Sequence, residues 1–239
     1  LIIRVPVESE VDASVLMAAP RKTAHIQQVD LEDFKEKGVF LPAVEKLNVQ
    51  LPPPSAQDNS PDMTRLINHL KLKHNEHQLV VDLPVVRKIV DVIREKDFNV
   101  TVTLARPVRE GSKTTILNVH PGDATDCNYA IAMDIGTTTI YGQLLDLNTG
   151  QVLAENGDFN AQMSYGEDVI NRIVHAEKGN GLEEVNKAVL KTINSLNQKL
   201  LKKAGAESDC ISTITLAGNT TMTQLLLKIN PRYIRRSPY

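Results

Sequence analysis

YAIAMDIGTTTIYGQLLD (residues 129–146) reads as two strand segments with an unusual joint. Apolar and β-branched residues at strand spacing lie on both sides, while Asp134, Gly136 and the threonines Thr137, Thr138 and Thr139 occupy the bend. A carboxylate at the end of the first strand can emerge at the edge of a sheet. Gly136 lacks a Cβ, so a bulky anion can approach the main chain closely there. In a tight turn the successive amides of Gly136, Thr137 and Thr138 can point into one concavity, an anion nest, and the threonine hydroxyls add donors. Asp134 is then placed to hold a water-coordinated Mg²⁺, a cation that keeps most of its waters and takes few protein carboxylates. On its own Asp-x-Gly-Thr is short, and a glycine-containing hairpin accounts for it equally well. The surrounding pattern decides.

Strands are expected over 129–135, 139–147 and 151–157, the second and third joined at LNTG (147–150). A helix follows from Ser164, where Ser164 and Glu167 read as a capping box ahead of the periodic Val169, Ile170, Ile173 and Val174. A longer helix is expected over about 182–204, with Leu182, Val185, Val189, Ile193, Leu196 and Leu200 on one face and Gly205 as its stop. CISTITLAG (210–218) reads as a strand, and NTTMTQLLLKI (219–229) as a helix ended by Pro231. The order βββ, α, α, β, α is the opening of a ribonuclease-H-like or actin-like α/β domain. Within it TLAGNTTM (215–222) is a second candidate motif. Gly218 ends the strand, Asn219 takes the N-cap position, and helix N-termini attract phosphate. A plain cap explains Asn219 alone, whereas Gly218 is harder to explain by packing only.

Upstream, seven of the twelve prolines fall within residues 1–61, three of them consecutive in LPPPSAQDNSP (51–61). Consecutive prolines favour extended backbone and cannot feed a helix or a central strand. Residues 1–59 therefore read as a connector, with a short helix around Leu31–Lys37. A small α/β domain is expected over 60–120. Its first helix is capped by Ser60 and opened by Pro61, and its second is VVRKIVDVIREKD (85–97). The strands FNVTVTLA (98–105) and TTILNVH (114–120) are joined by a turn through REGSK (109–113), and PGDATDCN (121–128) is a hinge. His69, His74 and His77 do not share a helix face at i, i+4 and read as surface histidines rather than zinc ligands.

Bulk composition excludes several classes. A net charge of −2 leaves no electrostatic footprint for nucleic acid, and with no Trp and 4% aromatic residues there is no stacking platform. Lys228, Arg232, Arg235 and Arg236 form a modest cationic patch, read as a solvated turn. No apolar run reaches the roughly 18 residues of a membrane span, and no basic-then-apolar leader opens the chain. Cys127 and Cys210, with no CxxC spacing, read as two free thiols in a reducing compartment, hence a cytoplasmic protein. The chain begins without Met in a strand-like run and ends as a new segment should start, so it reads as an internal piece of something longer.

The motifs also carry a specific resemblance. MDIGTTTI (133–140) resembles the first phosphate motif of the superfamily that holds sugar kinases, heat-shock chaperones and actin. More narrowly, AMDIGTTTI (132–140), NAQMSYGEDVINRI (160–173) and LAGNTTMTQLLLKINPRYIRRSPY (216–239) together resemble the ATP-dependent reductive activators of corrinoid proteins. The match covers 129–239 closely, residues 60–120 resemble that family's middle domain in layout, and LIIRVPVESE (1–10) resembles the segment after its N-terminal ferredoxin domain.

The resemblance implies an intact protein with a [2Fe–2S] ferredoxin domain, a linker, a middle domain and an actin-like ATPase domain of which 128–239 is the first part. It implies ATP and Mg²⁺ as cofactors, a corrinoid protein as partner, a homodimer, and ATP-driven one-electron reduction of Co(II) to Co(I). Carried over by position, Asp134, Gly136, Thr137 and Thr138 form the first phosphate loop, with Asp134 the catalytic residue near Mg²⁺. Gly218 and Asn219 lie by the same cleft, and Asp168 is a weaker candidate. The sequence departs from the family in having no four-cysteine cluster for the iron–sulfur centre. It also lacks the second phosphate motif and the adenosine motif, so the piece alone is expected to bind ATP poorly and not to turn over. Two other readings stay open: a metabolite kinase of the same fold, and a docking module in which 60–120 mediates dimerisation.

Overall fold

The structure, a computed structural model, describes residues 37, 43–107 and 113–236. Those from Ala43 onward lie in one compact unit, Pro42–Tyr239, built on two four-stranded sheets with separate cores. The helix expected around Leu31–Lys37 and the turn expected at 109–113 lie outside the described residues, Lys37 and Lys113 excepted.

The first sheet contains β1 (Val44–Gln50), β2 (Leu79–Val81), β3 (Asn99–Ala105) and β4 (Thr114–Pro121), in the order β1-β3-β4-β2. β3 is antiparallel to both β1 and β4, while β2 adds to β4 in parallel. Helices α1 (Asp62–His74) and α2 (Leu83–Glu95) supply apolar faces to this layer, and Leu66, Leu70, Val85, Ile89 and Ile93 are fully buried.

Two expectations are corrected here. Residues 44–50 belong to the sheet and not to a connector, because Leu47, Val49 and Leu51 alternate onto the core and the prolines begin only after the strand has ended. Ser60 does not cap α1. Pro61 holds that position without a side-chain bond, and the Ser60 hydroxyl donates to Asp58 instead. The proline segment is strapped down from the other side: buried Arg65 donates to the carbonyl of Pro52, to the Asp58 carboxylate, and to the carbonyls of Asp58 and Ser60.

The second sheet has β5 (Tyr129–Ile135), β6 (Thr139–Asp146), β7 (Val152–Phe159) and β8 (Ile211–Gly218), in the order β7-β6-β5-β8. β5, β6 and β7 form an antiparallel meander, and β8 returns parallel to β5. Between β7 and β8 run a 3₁₀ turn (Ala161–Tyr165), α3 (Val169–Ala176) and α4 (Gly181–Ala204); α5 (Thr220–Leu226) follows β8. This is the expected βββ, α, α, β, α order of a ribonuclease-H-like opening.

α4 covers the sheet. Val185, Val189, Ile193, Leu196 and Leu200 recur at helical spacing and are buried against Ile131, Met133, Ile140 and Leu144. Each such side chain contributes about 1.5–3 kcal/mol on burial. Glu183 and Glu184 in its first turn and Lys202 and Lys203 in its last complement the helix dipole, and Gly205 ends it in the left-handed region at φ 64°.

The helix expected from Ser164 starts later. Residues 161–165 take the 3₁₀ turn, Ser164 donates back to the Ala161 carbonyl, and Asp168 caps α3. The cysteines are corrected as well: Cys127 and Cys210 are joined by a disulfide, their Cα atoms 5.0 Å apart. Cys127 stands two residues before β5 and Cys210 directly before β8. Because Tyr129 pairs with Ile211 across these parallel neighbours, the two strand entries lie side by side although 83 residues separate them.

The two sheets meet at the same place. The Lys46 ammonium of β1 donates to the carbonyl of Cys127, and the buried Asn128 amide reaches Val44 at 3.5 Å. Burial pulls the Lys46 pKa below its usual value, with nearby Asp209 opposing.

Candidate functional site

β5 and β8 run in parallel and end together. Asp134 lies beside Ala217 in register and Ile135 beside Gly218, so the loop 136–138 and the β8–α5 junction share one end of the sheet. Ligands in α/β sheets collect outside such carboxyl strand ends. Alternation along β5 sends Ile131, Met133 and Ile135 into the core and leaves Asp134 exposed on the opposite face, flanked in register by Ala217 and Tyr141.

The bend is tight. A Cβ on Gly136 would lie 2.5 Å from the carbonyl oxygen of Thr139, and one on Gly218 would lie 3.2 Å from that of Ile135. Gly136 therefore excludes a side chain for steric reasons, while at Gly218 a Cβ would fit only if its neighbours gave by a few tenths of an ångström. Outside the strand ladder, no described residue accepts a hydrogen bond from the amides of Gly136, Thr137 or Thr138. A tight bend beside an exposed carboxylate and two glycines has the donor and acceptor types that a terminal phosphate with its hydrated Mg²⁺ would need.

The six residues singled out at this end, Asp134, Gly136, Thr137, Thr138, Gly218 and Asn219, are thus brought together. The Asn219 oxygen already accepts the Met222 amide at 3.0 Å, so this side chain caps α5. Asp168 is not part of the group. One of its oxygens takes the Asn171 amide at 2.7 Å and the other the Asn171 side chain at 3.0 Å.

Sequence reading quoted the stretch 160–173 but gave no role to its residues behind the loop. Asn160, Gln162 and Arg172 are each fully buried. Asn160 donates from its side chain to the Gly136 carbonyl at 2.9 Å, and its backbone N–H donates to the Thr138 carbonyl at 2.8 Å. Gln162 donates to Val185 of α4 at 2.9 Å, and Arg172 donates to Gly166 at 2.8 Å and faces Gln162 and the Met222 sulfur. Burial lowers the Arg172 pKa, with Asp168 opposing. A recess of about 140 Å³ lined by Lys46, His120, Asp209 and Ser212 lies at the opposite end of β8, at the junction of the sheets. Among the described residues no group of three or more His, Cys, Asp or Glu side chains is placed to hold a metal ion, and no helix is long and apolar enough to cross a membrane.

Fold and site together define an α/β protein with the strand and helix order of a ribonuclease-H-like opening and a tight, glycine-containing bend at its sheet end. Known proteins narrow this. Residues 34–126 match the family model for the RACo linker region, and residues 129–239 match that for the RACo middle region. The chain belongs to the RACo family and carries these two regions.

It is 35% identical over 112 residues to the corrinoid activation enzyme RamQ of Eubacterium limosum, a stretch that is 46% of this chain and 19% of that protein. It also superposes on a solved reductive activator for corrinoid, iron-sulfur protein with a TM-score of 0.71 and 38% identity, over 83% of this chain and 31% of the other. The chain thus spans about a fifth and about a third of the lengths of these relatives. What the sequence reading named a middle domain at 60–120 falls within the family's linker region.

Proposed function

We propose that this chain is the linker and ATPase-core portion of an ATP-driven reductive activator of a corrinoid protein, and that the Asp134 end of the second sheet is its phosphate-binding wall. The reaction is the one-electron reduction of Co(II) corrinoid to Co(I). The electron comes from a [2Fe–2S] domain of the intact protein, and bound MgATP supplies the free energy for the uphill transfer. The observation that most supports this reading is the common end of β5 and β8, which sets an exposed acid, the 136–138 bend and two closely packed glycines side by side.

In this reading the amides of Gly136, Thr137 and Thr138 and the threonine hydroxyls bind the terminal phosphates. Gly136 and Gly218 let the bend and the β8 end pack closely against neighbouring backbone, and Asn219 holds the facing turn. Asp134 orients Mg²⁺ through its bound waters. We take the intact protein to be a cytoplasmic homodimer that meets its corrinoid partner in solution, without membrane or nucleic acid. Residues 1–239 alone bind ATP weakly and do not hydrolyse it.

The test is steady-state ATP hydrolysis by the full-length protein with and without the corrinoid partner. Hydrolysis is expected to rise on adding the partner and to fall by roughly 10²-fold or more in Asp134→Ala, the scale of losing a key electrostatic contact to a reacting phosphate. Unchanged turnover in that variant rules out the role given to Asp134.

A further inference from the structure

We propose that Asn160 is the positioning residue of the phosphate loop, holding it open toward the nucleotide from behind; this rests on the reading of residues 134–138 just given. Asn160 is 0% exposed and stands directly after β7, 24 residues from the Gly136 carbonyl that its side chain binds. It grips the loop twice. Its side-chain amide donates to the Gly136 carbonyl at 2.9 Å, and its backbone N–H donates to the Thr138 carbonyl at 2.8 Å.

In a trans peptide the C=O and the next N–H point in opposite directions. Drawing the Gly136 carbonyl inward onto Asn160 therefore turns the Thr137 N–H outward, away from the protein body. A loop whose carbonyls are tied down from behind presents amides in front, which is the polarity an anion needs.

The grip is itself anchored. The Asn160 oxygen accepts the Gln162 amide at 3.0 Å, which fixes the side chain so that its nitrogen faces Gly136. Gln162 is tied to the Val185 carbonyl of α4 at 2.9 Å, and the Ala161 amide donates to Thr192 of the same helix at 3.1 Å. Arg172 closes the cluster between Gln162 and Met222, whose amide is the one capped by Asn219. One buried polar cluster thus reaches the backs of both walls of the site while touching neither of their open faces.

Asn160→Asp separates positioning from folding. It keeps the oxygen that accepts Gln162 and the size of the side chain, but replaces the donor to Gly136 with an acceptor. In the full-length protein MgATP affinity is measured by calorimetry for wild type, Asn160→Asp, Asn160→Ala, Asp134→Ala and the destabilisation control Ile193→Val, with melting temperatures alongside. Both Asn160 variants are expected to weaken MgATP binding about tenfold or more, the scale of one such hydrogen bond with its misplaced partner. Ile193→Val lowers the melting temperature and leaves the affinity alone. If Asp134→Ala loses MgATP while Asn160→Asp binds as wild type does, the positioning role is wrong and the loop reading stands. If Asp134→Ala also binds normally, the loop reading falls and the role of Asn160 with it.

Discussion

At the residue scale, Gly136 carries the sharpest steric demand near the site. Its missing Cβ would lie 2.5 Å from a backbone oxygen, a contact that no rotamer change relieves. Gly136→Ala is therefore expected to destabilise the fold by about 1–3 kcal/mol, the scale of overpacking a tight site, measured as a drop in denaturation midpoint. The glycine stood out in the sequence, but there it is read as leaving room for an anion; that the Thr139 carbonyl oxygen occupies the space follows only from the fold. The role of Asn160 was not visible: it opens the quoted stretch 160–173, but a polar residue after a strand gives no sign of its partner until the fold brings Gly136 to it. Asp168 is the opposite case. Its acidity drew notice, yet both its oxygens serve a helix start.

At the element scale, periodicity identified the helices and most strands, and the local signals for their ends were less dependable. The Ser164–Glu167 spacing suits a capping box, but Gly166 sits where a Cβ would meet the Arg172 amide at 2.7 Å, so the chain turns there and α3 begins at Val169. β1 was hidden by its neighbours, since three prolines at 52–54 dominate the reading of that region although the strand stops before them. β2 is three residues long and pairs in parallel, too short to show periodicity.

The open face of the meander offers a test of strand geometry. Tyr141 of β6 donates to Glu155 of β7 at 2.6 Å, and partial burial together with that carboxylate pushes its pKa up to about 12. The folded state then holds this proton through a range in which the unfolded chain has lost it. Stability from this contact is complete below the ordinary tyrosine value near 10 and is lost as pH rises from there toward 12. Absorbance titration of tyrosinate should show one late-ionising tyrosine, absent in Tyr141→Phe.

At the scale of the whole molecule, two sheets with separate cores are joined around Cys127, where the disulfide, the Lys46 contact and buried Asn128 converge. Spacing alone could not reveal this pairing, because only the parallel return of β8 beside β5 brings positions 83 residues apart into contact. Loop closure over that length corresponds to about 4–5 kcal/mol. The oxidised protein should therefore melt well above the reduced protein or Cys127→Ser, with no titratable thiol before reduction. A reducing cytosol favours the dithiol form, so both states are to be measured. The same strand pair that the disulfide joins at its entry carries the candidate site at its exit, and there hydrogen–deuterium exchange of the full-length protein with and without MgATP is decisive. Slowed exchange at 134–139 and 216–222 on adding MgATP is the expected result; protection elsewhere, with both segments unchanged, would contradict nucleotide binding at this sheet end.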